Sequence, residues 1–317
     1  MHKKVVVFGG GTGISYLLRG LKDFPVDITA IITVADNGKS TGRLRDEFNI
    51  PAVGDIRQVI TNLSGVSPEI KELMNYRFST YSDFDGHSLG NLILVGMLDI
   101  TGSLKDSIAC LSELLDVRHK VYPISEDRLT LMAETVSGKI IEGEEEITSN
   151  REVKKKVFYK EEPTVTKEAI DAVLEADLII FSMGSLYTSV LPTIIGKEMQ
   201  EAIKKSDARL MYICNAMTQP GETDNFGVGD HVEVLNRYLP DRKIDVVIAT
   251  NTEIDQAMID KYRRKEEKAK VIIDYEKLDE IGVEVIESDL LILDEDGTLK
   301  HDSLLLSTIV FSYLMRI

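Results

Sequence analysis

Lys4-Val5-Val6-Val7-Phe8-Gly9-Gly10-Gly11-Thr12-Gly13 runs a β-branched segment straight into a cluster of glycines. Lys4–Phe8 reads as a buried strand and Thr12–Leu21 as the helix that follows it. Glycine between a strand and a helix lets the backbone turn sharply and come close to a phosphate. The free N–H groups and the helix dipole then point at the anion. The strict dinucleotide fingerprint is not met, because counting from Gly9-x-Gly11 puts Ile14 where Gly or Ala belongs. A Walker A loop is not met either: Gly38-Lys39-Ser40 has Thr33 where that motif needs its first glycine. Gly9, Gly10, Gly11, Thr12 and Gly13 are therefore candidate anion ligands, and the bland alternative is a tight βα turn with nothing bound.

The same rhythm continues outward. Ile28–Val34 reads as a second strand, with helical patterns at Asp55–Leu63, Pro68–Arg77, Ser88–Ile100 and Ser103–Leu115. Strands alternating with helices indicate a parallel sheet wrapped by helices. Lys120–Tyr159 breaks the pattern with alternating runs, a Ser137-Gly138 turn and the acidic cluster Glu142–Glu146, which suggests a small antiparallel insertion with a solvated rim. Glu144-Glu145-Glu146 and Lys154-Lys155-Lys156 are expected to be solvated charge runs. Apolar strands resume at Asp177–Phe181, Leu210–Cys214 and Ile244–Ala249. Helices are expected around Lys167–Ala176, Val228–Tyr238, Glu253–Lys265 and Asp302–Met315. The fold class is α/β: a Rossmann-like three-layer αβα body with a mostly parallel, doubly wound sheet. We expect a single domain over residues 1–317 with a β insertion at 120–160 inside it.

The 317 residues carry a net charge of −16, a field that repels nucleic-acid backbones and anionic lipid. A small anionic ligand needs only a local pocket and is not excluded. Cys110 and Cys214 sit in apolar runs and are expected to be buried, reduced thiols. No apolar stretch reaches the roughly 18 residues that span a bilayer. The amino terminus runs directly into a strand rather than a leader sequence, so a cytoplasmic protein is expected.

Further polar, glycine-bearing loops follow other strands. Ala35–Arg45 offers Asp36, Asn37, Gly38, Ser40, Thr41 and Arg43: a carboxylate for a ribose or a metal, and donors for phosphate oxygens. Asp36 could instead cap a helix. Gly54-Asp55 has the same ambiguity. Gly86–Asn91 adds Asn91 and His87, a candidate proton shuttle. Ser182–Ser189 supplies Gly184, Ser185 and Thr188. Asn215–Asp224 supplies Asn215, Thr218, Gln219, Thr223 and Asp224, suited to a base edge and ribose hydroxyls. Open α/β sheets bind ligands at the carboxyl ends of their strands, so these loops together argue for a nucleotide or sugar-nucleotide cleft. Neither a Cys/His zinc spacing nor a Gly-x-Ser-x-Gly elbow is present in the sequence.

These blocks, with Gly54-Asp55-Ile56-Arg57, resemble the CofD-like or YvcK family of gluconeogenesis factors, and the resemblance runs through nearly the whole chain. Its length looks closer to the YvcK branch. That resemblance implies a UDP-sugar ligand such as UDP-N-acetylglucosamine and a role in cell shape and wall homeostasis during gluconeogenic growth. In the CofD branch it implies transfer of a phospholactyl-type group from a nucleotide-diphosphate donor, with magnesium. Carried over, Gly10–Gly13 and Ser40–Arg43 would hold a diphosphate, and Asn215, Thr218 and Gln219 would lie near the nucleoside. Asp36 or Asp55 would lie near any metal. Two departures matter: Asp36-Asn37-Gly38 is one carboxylate short of the family's usual block, and Ser182-Met183-Gly184-Ser185 replaces a more rigid turn. Magnesium prefers anionic oxygen, so the first departure weakens a metal-dependent site.

The leading expectation is a UDP-sugar-binding regulatory protein, with turnover, a protein partner in wall synthesis and a homo-oligomer all left open. The alternatives are a CofD-like transferase with His87 or Asp55 as proton acceptor, and an NAD-binding protein using Asp36, about 20 residues past the glycine loop.

Overall fold

The computed structural model describes residues 2–294 and 296–317, the Lys39 side chain excepted. In chain order the elements begin β1 (Lys3–Gly9), α1 (Gly11–Leu21), β2 (Val26–Ile32), α2 (Lys39–Phe48), α3 (Gly54–Leu63) and α4 (Pro68–Asn75). Next come α5 (Leu89–Thr101), α6 (Leu104–Leu114) and β3 (Lys120–Pro123). The insertion holds β4 (Leu131–Thr135), β5 (Ile140–Glu142), α7 (Glu144–Ser149) and β6 (Lys154–Tyr159). The second half runs α8 (Lys167–Leu174), β7 (Leu178–Phe181), short π and 3-10 turns at Leu186–Thr193, α9 (Lys197–Lys205), β8 (Arg209–Ile213) and α10 (Val228–Arg237). It closes with β9 (Val246–Thr250), α11 (Gln256–Glu266), α12 (Tyr275–Ile281), β10 (Glu284–Ser288), β11 (Leu291–Leu293), β12 (Leu299–His301) and α13 (Ser303–Leu314).

Seven strands form one sheet in the order β10-β9-β8-β7-β1-β2-β3, and every neighbouring pair is parallel. Burial on both faces explains why Val5–Phe8 and Leu178–Phe181 are apolar without alternation. Phe8 and Phe181 lie opposite each other in the register and stack with centroids 5.6 Å apart. From β1 the chain winds outward through β2 to β3, then returns to the other side of β1 as β7. The topological switch point therefore lies between β1 and β7, where this class of sheet opens a crevice. α1 packs with α3 and α13, and α8 with α9, so helices flank the sheet. The Ser303 hydroxyl donates to the Tyr16 carbonyl (2.5 Å) and ties α13 to α1 across almost the whole sequence.

Several expectations change in detail. The expected insertion at 120–160 is narrower, because Lys120–Pro123 pairs parallel with β2 as an edge of the main sheet. The antiparallel part is the sheet β5-β4-β6, which starts at Leu131. Glu144-Glu145-Glu146 is the first turn of α7, where acidic side chains complement the helix dipole, rather than a free turn. Lys154 is buried at 2 % exposure, unlike its solvated neighbours Lys155 and Lys156. Cys214 is buried but Cys110 is exposed. α6 buries Leu104, Ser107, Ile108 and Leu111 on one face, which turns Cys110 outward. No described helix is long and apolar enough to cross a membrane.

Candidate functional site

At the switch point the loop after β1 faces the loops after β7 and β8 across a cavity of about 440 Å³. Gly10, Gly11, Thr12 and Gly13 line one wall, and Gly184, Ser185, Asn215, Thr218 and Gln219 line the other. α1 begins at Gly11, and its N-cap Gly10 offers no side-chain cap. The first N–H groups of a helix have no intrahelical partner, so they present a ready anion site. Close packing explains the glycines. A Cβ on Gly13 would collide with the Met183 carbonyl, and one on Gly10 with the Asp55 carboxylate. Gly9 lies beneath them against Ser182, whose buried hydroxyl has no partner among the described residues.

The far wall is held by its own hydrogen bonds. Asn215 Nδ2 donates to the Gly184 carbonyl (2.9 Å), while its Oδ1 is buried without a partner among the described residues. Thr218 Oγ1 accepts from the Ala269 N–H (2.9 Å). Thr188 Oγ1 donates to Ser185 Oγ (2.7 Å). Thr223 and Asp224 stand behind the cavity as loop braces, accepting from the Gln219 N–H (2.8 Å) and the Gly221 N–H (2.6 Å). The remaining wall comes from α11, the loop just after it and the C-terminal hairpin: Tyr262, Glu266, Lys268, Leu299, Lys300 and His301. Burial pushes the His301 imidazole down to about 4, so it is neutral near pH 7, and its Nε2 has no partner among the described residues.

Beside Gly10 and Gly11 lies an acidic cluster. Burial, then the neighbouring charges of Asp36 and Glu144, push Asp55 up to about 7, against the Arg57 guanidinium and the Gly11 N–H that favour its anion. Glu144 is raised by burial and by Asp36. Asp36 Oδ1 accepts from the Gly38 N–H (2.8 Å), just before α2. Asn37 does not face the cavity: its Oδ1 accepts from the Glu145 N–H (2.8 Å) and binds the insertion to the loop after β2. Among the described residues, no three His, Cys, Asp or Glu side chains are arranged to hold a metal ion.

The remaining candidates form a third group. Ser40 Oγ lies 3.0 Å from His87 Nδ1, and burial followed by the Arg43 charge lowers the imidazole's proton affinity. Thr41 is buried against Gly54. Asn91 is buried, with its N–H capped by Ser88 (3.3 Å) and its Oδ1 accepting from Arg57 Nε (3.1 Å). Arg43 donates to the carbonyls of Asp83 and Asp85, so its guanidinium clamps the 76–86 loop rather than the cavity.

The sequence offers α2 only as the alternative in which Asp36 caps a helix and gives it no range, because Gly38, Ser40, Thr41 and Gly42 resemble loop chemistry. The sequence reading missed Arg57 as a site brace, Glu144, Lys154, Glu222 and the whole hairpin wall. Only Arg57 left a local signal, next to Asp55 at the start of an amphipathic helix. A second cavity of similar volume lies against the amino ends of β1 and β2 and α8. Its walls pair their own charges, as in Lys4–Glu175 at 2.6 Å, and no glycine loop opens onto it.

Residues 5–291 match the family model described as 2-phospho-L-lactate transferase CofD. A gluconeogenesis factor from Halalkalibacterium halodurans is 45% identical over 302 residues, 95% of this chain and 93% of that protein. The gluconeogenesis factor of Bacillus subtilis is 43% identical, covering 95% of this chain and 94% of that one. A crystal structure of a Bacillus halodurans protein superposes with a TM-score of 0.95 at 42% identity, covering 98% of this chain and 100% of that one.

Proposed function

The chain belongs to the CofD family, and from that premise we propose that it is a regulatory protein that binds a UDP-sugar of the UDP-N-acetylglucosamine kind. The observation that carries this reading is the two-ended cavity at the switch point. The N–H groups of α1 beyond Gly11, whose own N–H favours the Asp55 anion, suit a diphosphate at one wall, and Asn215, Thr218 and Gln219 suit a nucleoside at the other. Its volume is within the range of roughly 300–1,000 Å³ typical of small-molecule sites. The relatives named gluconeogenesis factor support a link to carbon use, and coupling to cell shape and wall synthesis belongs to the same proposal. The chain would act in the cytoplasm on a protein partner, and ligand binding would shift the population between two states of the site. The net charge of −16 speaks against nucleic acid as that partner.

A second reading, transferase activity, is favoured by Asp55, whose carboxyl titrates near neutrality beside the phosphate-facing loop. Magnesium would suit Asp36 and Asp55, two carboxylates close enough to raise proton affinity at Asp55, with phosphate oxygens completing the shell. Such an ion would neutralise charge on a diphosphate. Against this reading, Asn37 stands where the family's block carries a carboxylate, and its side chain is spent on the insertion. Isothermal titration with UDP-N-acetylglucosamine, NAD and GTP, with and without magnesium, tests both readings when the same mixtures are assayed for breakdown. Metal-independent UDP-sugar binding without turnover is expected. A cleaved donor in the magnesium arm would replace the regulator with an enzyme.

A further inference from the structure

Glu222 is fully buried behind the cavity and does not line it. Its two oxygens serve different loops. Oε2 accepts from the Ser185 hydroxyl (2.5 Å) and the Tyr187 N–H (3.3 Å), both in the loop after β7. Oε1 accepts from Gln219 Nε2 (2.8 Å), in the loop after β8. We propose that Glu222 is the positioning residue of the ligand cavity, joining its two far-wall loops through one carboxylate with Lys154 of the insertion as countercharge.

The donor inventory shows what this does to a ligand. Ser185 Oγ gives its proton to Glu222 and accepts from both the Thr188 N–H (3.2 Å) and the Thr188 hydroxyl (2.7 Å). That uses the hydroxyl's full capacity, so Ser185 presents a main chain held in place rather than a free side chain. Gln219 is oriented differently. Above about pH 7, where Glu222 is ionised and only accepts, the NH₂ end of the amide faces it. Its Oε1 and second N–H are left for a ligand, a donor–acceptor pair that matches an imide edge, where N–H sits beside C=O. This step rests on the UDP-sugar reading, since uracil carries such an edge.

The countercharge comes from a remote part of the chain. Lys154 is buried on β6, donates to the Asn150 carbonyl, and lies beside Gly221. Its charge favours the Glu222 anion, whereas burial and Glu144 oppose it and the carboxyl is pushed up to about 7. Neutralising Lys154 therefore removes the cation that, among the described residues, offsets this burial. The insertion is thereby part of the site although it supplies no cavity wall.

The test compares Glu222→Gln, Glu222→Asp and Lys154→Met. Glutamine keeps the shape but brings an N–H toward one of the two donors, whereas aspartate keeps two acceptor oxygens. Titration with UDP-N-acetylglucosamine should show about tenfold weaker binding for Glu222→Gln, partial rescue by Glu222→Asp, and a smaller loss for Lys154→Met. The unliganded proteins supply a readout that does not depend on the ligand. The Gln219 side-chain amide signal in ¹H–¹⁵N spectra, assigned by its loss in Gln219→Leu, should move in Glu222→Gln. Amide exchange should also quicken over residues 185–188. A folded Glu222→Gln protein with unchanged affinity, spectrum and exchange would overturn the proposal. Should the wild type bind no UDP-sugar, the functional reading fails, and the amide signal and exchange alone decide whether Glu222 joins the loops. If Glu222→Gln does not fold, Lys154→Met decides by the same three readouts, because it leaves the carboxylate in place.

Discussion

The glycine wall and the insertion reach the same site by opposite routes. Gly10–Gly13 span the N-cap and first turn of α1, and their role follows from local geometry: N–H groups at a helix start, and no room for a Cβ on Gly10 or Gly13. The insertion contributes through single side chains, Glu144 beside Asp36 and Lys154 beside Glu222, each brought in by tertiary pairing. A loop can therefore announce a ligand in sequence, whereas the electrostatics of that loop are set by residues about 100 positions away that look like surface charge.

The largest test of this contrast is pH. Glu222 ordinarily titrates near 4.5 but is held at about 7 in the fold, mainly by burial. Below 4.5 both the folded and unfolded chains hold the proton. Between 4.5 and 7 only the folded chain does, so stability falls as pH rises through this window and the contribution is gone above it. The difference is worth about 3 kcal/mol. Asp55 acts with the same sign. His301, pushed down by burial to about 4, acts with the opposite sign but is common to both proteins, so in urea denaturation at pH 5 and pH 8 the wild type should lose stability relative to Glu222→Gln as the pH rises. Equal slopes in the two proteins would mean that Glu222 does not hold its proton.

On the glycine side, Gly13→Ala places a methyl group against the Met183 carbonyl, where backbone rather than a flexible side chain must yield. Overpacking of this kind costs about 1–3 kcal/mol. Both the melting temperature and nucleotide affinity should fall, because the same displacement opens the crevice between β1 and β7. A wild-type affinity in Gly13→Ala would show that the anion is held elsewhere. Asn37→Ala probes the seam between the two regions. It removes the acceptor for the Glu145 N–H and should cost about 1 kcal/mol in stability, with quicker amide exchange confined to α7.

These contrasts also account for what was legible in the sequence. The parallel sheet could be read because buried strands such as Val5–Phe8 and Leu178–Phe181 lack alternation and are punctuated by glycine loops. The cavity's two principal walls could be read for the same reason. The range of α2 could not, because glycines and hydroxyls mask its helical period; Thr41, Leu44 and Arg45 are its buried side. β10 was missed because Glu284–Ser288 is an edge strand with an exposed, charged pattern. The hairpin wall carries no phosphate-like motif. Tyr262, Lys300 and His301 enter the site because Tyr262 accepts from the Leu299 N–H (2.9 Å) and pins β12 against α11.

Arg43 separates the two kinds of inference most finely, and its expected effect is the smallest. By residue type and position it was a diphosphate ligand, and a charge-assisted hydrogen bond would then have contributed about 1.5–3 kcal/mol to binding. Its guanidinium is instead committed to the carbonyls of Asp83 and Asp85. Arg43→Ala should therefore leave nucleotide affinity within about twofold of wild type, less than ~0.5 kcal/mol. What should change is the 76–86 loop, whose Phe84 and Tyr81 rings are exposed and whose hold on the body includes this clamp. Quicker amide exchange and proteolysis within that loop are the expected readout. A tenfold loss of affinity with an unchanged loop would return Arg43 to the phosphate, which would require the loop after β2 to close over the ligand on binding.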